Sequence, residues 1–251
     1  HCEIELFLNK TIIQFVDFSK SHKQSSNWSY VSLYYFAFFA ATTLFRFLHR
    51  GLTYLDSNCT KDLERFSLAM TSTVISLDVG TYYFSPKGLN ANGNMIVNLT
   101  FQKDTHKMTW RNLEFVFKDF LNHADNDEKL LFDSILKMFT DYNPEFPSTL
   151  RNKLNYTPES SIIHFENLTP YIDIESICKN IYRRILTIDS SPTDFNKVNG
   201  TAFISIILFK YILKLYDEFS TRSSFGKDFA RERRTFLKNN SYDNLESTFL
   251  I

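Results

Sequence analysis

Six glycines and six prolines in 251 residues leave the chain few places to turn sharply. That argues against a turn-rich all-β fold and for long regular elements. Cysteine is as sparse. Cys2, Cys59 and Cys178 are scattered and odd in number, with no Cys-x-x-Cys pair and no Cys/His cluster. A disulfide framework and a zinc site of ordinary spacing are therefore not expected, and a reducing, cytoplasmic setting fits best. An excess of one charge sign is lacking too: 28 Lys and Arg balance 28 Asp and Glu. No global field draws nucleic acid or an anionic membrane, so any such binding falls to a local patch. Common enzyme signatures are absent, with no Gly-rich phosphate loop, no His-Glu-x-x-His and no Gly-x-Ser-x-Gly. The carboxylates are dispersed, so neither a metal nor a cofactor is expected. His123 and His164 stand alone and read as structural or solvated. The sequons Asn58-Cys-Thr and Asn98-Leu-Thr reflect a chain rich in Asn, Ser and Thr with no visible leader.

What the chain has in abundance is apolar and aromatic side chains: 43% of residues are hydrophobic, with 26 Phe and 13 Tyr. A chain of this length and composition buries a substantial core, as one large domain or two small ones. Apolar residues recur at helical spacing over 3–19. Residues 27–51, NWSYVSLYYFAFFAATTLFRFLHRG, form the strongest segment, closing on Arg46, His49, Arg50 and Gly51 as helix ends do. Residues 24–45 carry no charge and are long enough to span a bilayer. Polar residues fill the first half of that run, and Tyr30, Tyr34 and Tyr35 sit mid-segment instead of at an interface belt. A buried central helix is the reading, and no membrane partner is expected.

A short helix is predicted near 60–70, with Thr60 able to cap it. Residues 71–102 are rich in β-branched and aromatic residues and punctuated by Gly80, Pro86–Gly88 and Asn92–Gly93, so they read as a hairpin or three-stranded insertion. Helix is predicted again from Thr109, then over 126–141, 171–188 and 196–222, with a basic amphipathic helix last (GKDFARERRTFLKNN). The whole is mainly α. A helical domain over 1–165 carries the β insertion, and 166–251 is a C-terminal helical extension that can belong to the same bundle.

One polar stretch stands out. LRNKLNY, residues 150–156, sets Arg151, Asn152, Lys153 and Tyr156 in one and a half turns at an expected helix start after Pro147–Ser148. It reads either as a chemical site or as solvated residues on an ordinary helix surface. The terminal basic segment, with Lys227, Arg231, Arg233, Arg234 and Lys238, reads either as a face paired with Asp228 and Glu232 or as a phosphate-contacting patch.

Taken in order, these segments resemble the HEPN (higher eukaryotes and prokaryotes nucleotide-binding) domains. Tyr34, Tyr35, Ala37, Phe39, Ala40, Ala41, Leu44, Phe45 and Gly51 match that family's aromatic central helix. Thr105-His106-Lys107 resembles the opening of its next helix, and Arg151, Asn152 and Tyr156 its Arg-x4-His or Arg-x4-Tyr element. The resemblance covers roughly residues 27–160. It implies a dimerising helical bundle that sets two copies of the Arg motif across one cleft, and often a metal-independent ribonuclease of bacterial phage-defence or toxin–antitoxin systems. Carried onto this chain, it makes Arg151, Asn152, Tyr156 and His106 the catalytic candidates. Lys153, Lys107 and Arg111 become nucleic-acid contacts, with Arg231 and Arg234 added under the phosphate-patch reading of the terminal basic segment, and RNA and a second copy the partners. Tyr156 stands where the family more often has His. A tyrosine of ordinary pKa near 10 is a weak base at neutral pH, so the alternative is a non-catalytic HEPN-like module that binds a partner protein or a nucleotide in a defence complex.

Overall fold

The computed structural model describes residues 2–21, 26–157 and 191–222, together with 228, 231, 232, 235, 236 and 239. Seven helices and three strands follow in order: α1 Cys2–Ser21, α2 Ser26–Phe47, β1 Gly51–Leu55, α3 Ser57–Thr71, β2 Gly80–Leu89, β3 Met95–Gln102, α4 Thr105–Leu121, α5 Asn126–Tyr142, α6 Phe146–Tyr156 and, beyond residue 191, α7 Asp194–Arg222. The chain is mainly helical, with a small antiparallel sheet.

Residues with strong β preference fill α2, and its burial decides the outcome. Tyr30, Leu33, Tyr34, Phe36, Ala37, Ala40, Ala41 and Leu44 are all fully buried, because α1, α4, α6 and α7 pack around this one helix. A helix apolar on most sides is stable only where neighbours cover it. The apolar residues of α1 at helical spacing, Ile4, Leu8, Ile12 and Phe15, form the stripe that closes one side. Phe15, Phe36 and Phe209 interlock there at centroid separations of 5.2–5.3 Å. Thr11 of α1 and Thr43 of α2 bond across the same seam at 3.1 Å. At the other end Tyr30 binds both the Pro147 carbonyl and the Thr201 hydroxyl at 3.2 Å, tying α2 to α6 and α7. Helix α7 joins the core formed by the other helices, so this part of the expected C-terminal extension belongs to the one bundle. Among the described residues α7, not the run 24–45, is long and apolar enough to cross a membrane, and 67% of that stretch is buried within the protein.

The sheet departs from expectation. Its order is β1-β2-β3, all antiparallel. The first strand lies before α3, outside the 71–102 span expected to hold the insertion. Five residues paired with partners some thirty positions away, as Gly51 is with Phe84, leave little local signal, because strand formation depends on the neighbouring strand. Arg46 explains the seam. Its Nη2 donates to the Leu52 carbonyl at 2.8 Å and its Nη1 to the Arg50 carbonyl at 3.2 Å. Its guanidinium lies over the rings of Phe7 and Phe84, and its Nε pairs with Glu3. A Cβ on Gly51 would fall 1.5 Å from Arg46 Nη1. Gly51 therefore makes room for Arg46, while His49 (φ 55°) takes the left-handed turn that ends α2.

Helix starts also moved. Asp56, not Thr60, caps α3, its Oδ1 accepting from the backbone N–H of Asn58 and Cys59, whereas Thr60 is buried within the helix. Asp104 caps α4 through the Lys107 N–H at 3.1 Å, which starts the helix at Thr105 and draws His106 into its first turn. Pro147 falls in the first turn of α6, where a missing N–H costs nothing. LRNKLNY is thus the second half of α6 and not its start. The helix expected over 171–188, with His164 and Cys178, lies outside the described residues, as does most of the basic terminal segment.

Candidate functional site

Three elements converge at the middle of α2. Arg151, on α6, is only 7% exposed, and its guanidinium lies 5.1 Å from the Tyr34 ring centroid and 5.6 Å from that of Tyr35. A guanidinium over aromatic faces is held by the ring quadrupole, more strongly as water is excluded. From α4, His106 comes to the same floor. Its Nδ1 is 2.9 Å from the Tyr34 hydroxyl, and its ring packs on Phe38 at 4.7 Å. Consecutive aromatics Tyr34 and Tyr35 therefore present one cation and one imidazole side by side.

The electrostatics are unusual for a core. Among the described residues no carboxylate lies within ion-pair distance of Arg151. Its Nη1 donates to Asn152 Oδ1 at 2.9 Å, and its Nε has no hydrogen-bond partner among the described residues. Trp110 Nε1 and Ser148 Oγ, buried and also without a well-formed hydrogen bond, face the Tyr34 hydroxyl. Burial, and then the Arg151 charge, hold the His106 pKa below its ordinary value of 6.5, with Asp104 opposing. Burial pushes the Tyr34 hydroxyl up. The result is a neutral imidazole beside a positive charge, in a cluster rich in donors and poor in acceptors. Buried polar groups left unpaired are costly, so such a cluster is suited to an anion or a polar ligand atom that supplies acceptors.

The other sequence candidates are placed differently. Tyr156 is 75% exposed. Five residues on from Arg151 it is rotated by about 140° around the helix, and it does not join the cluster. Lys153 pairs with Asp194 at the start of α7. Lys107 pairs with Glu145 at 3.7 Å, and Arg111 pairs with the same carboxylate. Glu145 is itself buried, so two cations of α4 are held against the turn before α6. Arg231 pairs with Asp228 at 2.9 Å, the surface pairing foreseen for that segment, and Arg234 lies outside the described residues. His123 is exposed. No group of three or more His, Cys, Asp or Glu capable of holding a metal occurs among the described residues.

Sequence reasoning missed Trp110, Ser148 and Glu145. The signal for Ser148 and Glu145 was Asn143-Pro144-Glu145-Phe146-Pro147, whose two prolines mark a rigid turn, and Trp110 carried none. Comparison with protein-family models, with curated proteins and with solved structures gives no match for this chain.

Proposed function

We propose that the His106–Arg151 cluster is an RNA-phosphate site, and that the chain is an RNA-directed effector of a bacterial defence or toxin–antitoxin system, acting as a metal-independent endoribonuclease of HEPN-like type. The observation that carries this reading is a buried guanidinium with no carboxylate partner among the described residues, set beside an imidazole kept neutral by its surroundings. A 2′-hydroxyl attacking the neighbouring phosphate must lose a proton while the phosphorane gains negative charge. The products are a 2′,3′-cyclic phosphate and a 5′-hydroxyl, and no metal is required. His106 is the base, since a depressed pKa keeps its ring nitrogen unprotonated at neutral pH. In the tautomer this role requires, Nδ1–H donates to the Tyr34 hydroxyl, Nε2 takes the proton of the 2′-hydroxyl, and the resulting imidazolium returns it to the departing 5′-oxygen. Arg151 stabilises the phosphorane through its planar fork. Asn152 orients that fork, and Tyr156 has no part in the chemistry.

Purified protein with labelled RNA in EDTA tests it. Cleavage leaving cyclic phosphate ends, lost in both Arg151→Ala and His106→Ala, is the expected result. No cleavage under any metal condition would defeat the enzyme reading.

A second reading is favoured by a separate observation: Lys107, Arg111 and Lys153 are all held in ion pairs, and Arg151 is nearly enclosed. It makes the chain a non-catalytic module that binds a partner protein or nucleotide. RNA or nucleotide binding that survives without cutting, and weakens in Arg151→Ala, would select it.

A further inference from the structure

Among the described residues the three-stranded sheet ends on β3, which pairs with β2 on one side only. Every residue from Met95 to Phe101 is exposed, including Met95 at 54%, Ile96 at 43%, Val97 at 44%, Leu99 at 37% and Phe101 at 46%. An edge strand presents unpaired N–H and C=O groups, and proteins ordinarily blunt it with charge, proline or a bulge. Residues 95–102, MIVNLTFQ, contain no charge and no proline. The one irregularity of the hairpin is between Pro86 and Gly88 on the inner strand β2. The turn joining the two strands is well formed, with Asn90 Oδ1 accepting from the N–H of Asn92 and Asn94, so the edge is presented in a defined conformation.

We infer that the free edge of β3 pairs with β3 of a second copy of this chain, antiparallel about a two-fold axis at Asn98, joining two sheets into one of six strands. The strand is self-complementary in that register. Asn98 faces Asn98, Val97 faces Leu99 and Met95 faces Phe101, so apolar side chains meet apolar ones on a shared face. Charges settle the choice of occupant. The nearest ones along the strand, Lys103 and Asp104, fall opposite Gly93 and Asn92 of the other copy, within a turn that carries no charge. No like charges are brought together, and a single strand supplies both halves of the interface. A charged peptide from another protein would find no counter-charge along this edge. The inference draws on the sheet edge alone and is independent of the Arg151 cluster.

Light scattering of the full chain at micromolar concentration tests it, with two variants at exposed position 98. Wild type is expected at the mass of two chains. Asn98→Lys sets two ammonium groups opposite each other and should weaken self-association by at least about tenfold. Asn98→Asp should do the same with two carboxylates. An equimolar mixture of the two variants should recover the two-chain mass. Thr100→Lys, which falls opposite Ile96, replaces Asn98→Lys if circular dichroism shows that variant unfolded. A one-chain mass for wild type overturns the inference, leaving the edge to a different protein or to none. A dimer indifferent to these variants, or a mixture that stays monomeric, overturns it as well.

Discussion

Phe36 in α2 is wholly buried, whereas Phe101 in β3 keeps 46% of its surface in solvent. The two belong to regions equally rich in apolar residues. Around α2 four helices interlock, and almost every large side chain facing inward is closed over. In the β2–β3 hairpin the outer strand is nearly as apolar, yet its outer edge pairs with no further strand among the described residues. Hydrophobicity of sequence therefore does not distinguish core from surface here. What distinguishes them is how many neighbours the fold delivers. In α2 burial stabilises the native monomer. In β3 the same kind of side chain is left with free energy to release on association, since stabilisation scales with apolar area removed from water. The Arg151 cluster reverses the pattern, with a charged residue enclosed in the apolar region.

The comparison breaks most visibly under large-to-small substitution. Phe36→Ala removes a ring from the interlocked Phe15–Phe36–Phe209 set and should cost about 3–5 kcal/mol of unfolding free energy by urea titration. Leu99→Ala in β3, measured on the monomer, should stay within about 0.5 kcal/mol, as exposed positions generally do. Equal losses at both sites would mean that the arm is a closed part of the core.

Next in size is Arg151→Met. If the cluster acts on RNA, cleavage should fall by about 10²–10³, the scale of one lost transition-state contact. Unfolding free energy should hold or rise, because an apolar side chain of similar volume often replaces a buried charge without penalty. A variant that loses stability and keeps activity would make Arg151 a structural residue.

The pH dependence is a smaller effect with a definite sign. His106 has a folded-state pKa below its ordinary 6.5, so the native state binds a proton less readily than the unfolded chain. Its contribution to stability is fully present above pH 6.5 and is lost as pH falls from there through the folded-state pKa. Chemical denaturation between neutral and acidic pH should show this decline, and His106→Gln should flatten it. The smallest effect is expected for Tyr156→Phe. With the ring 75% exposed, both stability and any RNA cleavage should be unchanged within about 0.5 kcal/mol. A marked loss of cleavage would return Tyr156 to the site.

Much of this was legible beforehand, for reasons that differ by element. The spacing of Ile4, Leu8, Ile12 and Phe15 and the run from Tyr30 to Phe45 announce buried helices, since only burial suits them. Arg151, Asn152 and His106 were singled out through the family resemblance, and the fold brings Arg151 and His106 to the same tyrosine, Tyr34. Tyr156 was grouped with Arg151 on linear spacing, and the helix turns it away because five residues are not a whole number of turns. Thr60 read as a cap because its side chain suits one, but Asp56, four residues earlier, already holds the open N–H groups. Lys107, Arg111 and Lys153 read as nucleic-acid contacts. Nothing local shows that Glu145 and Asp194, far off in sequence, come within reach of them.

By itself the sequence determined the mainly helical class, the existence and approximate extent of most helices, the apolar centre and the absence of charge along β3. These follow from periodicity and composition, which act within a few turns of chain. Only the tertiary structure decided that β1 joins the sheet, that Arg46 pins it to α2, that Arg151 lies against Tyr34 beside His106, and which apolar residues stay outside. Each of those depends on contacts between residues far apart in the chain, whose energies appear only once the chain has closed the loops between them.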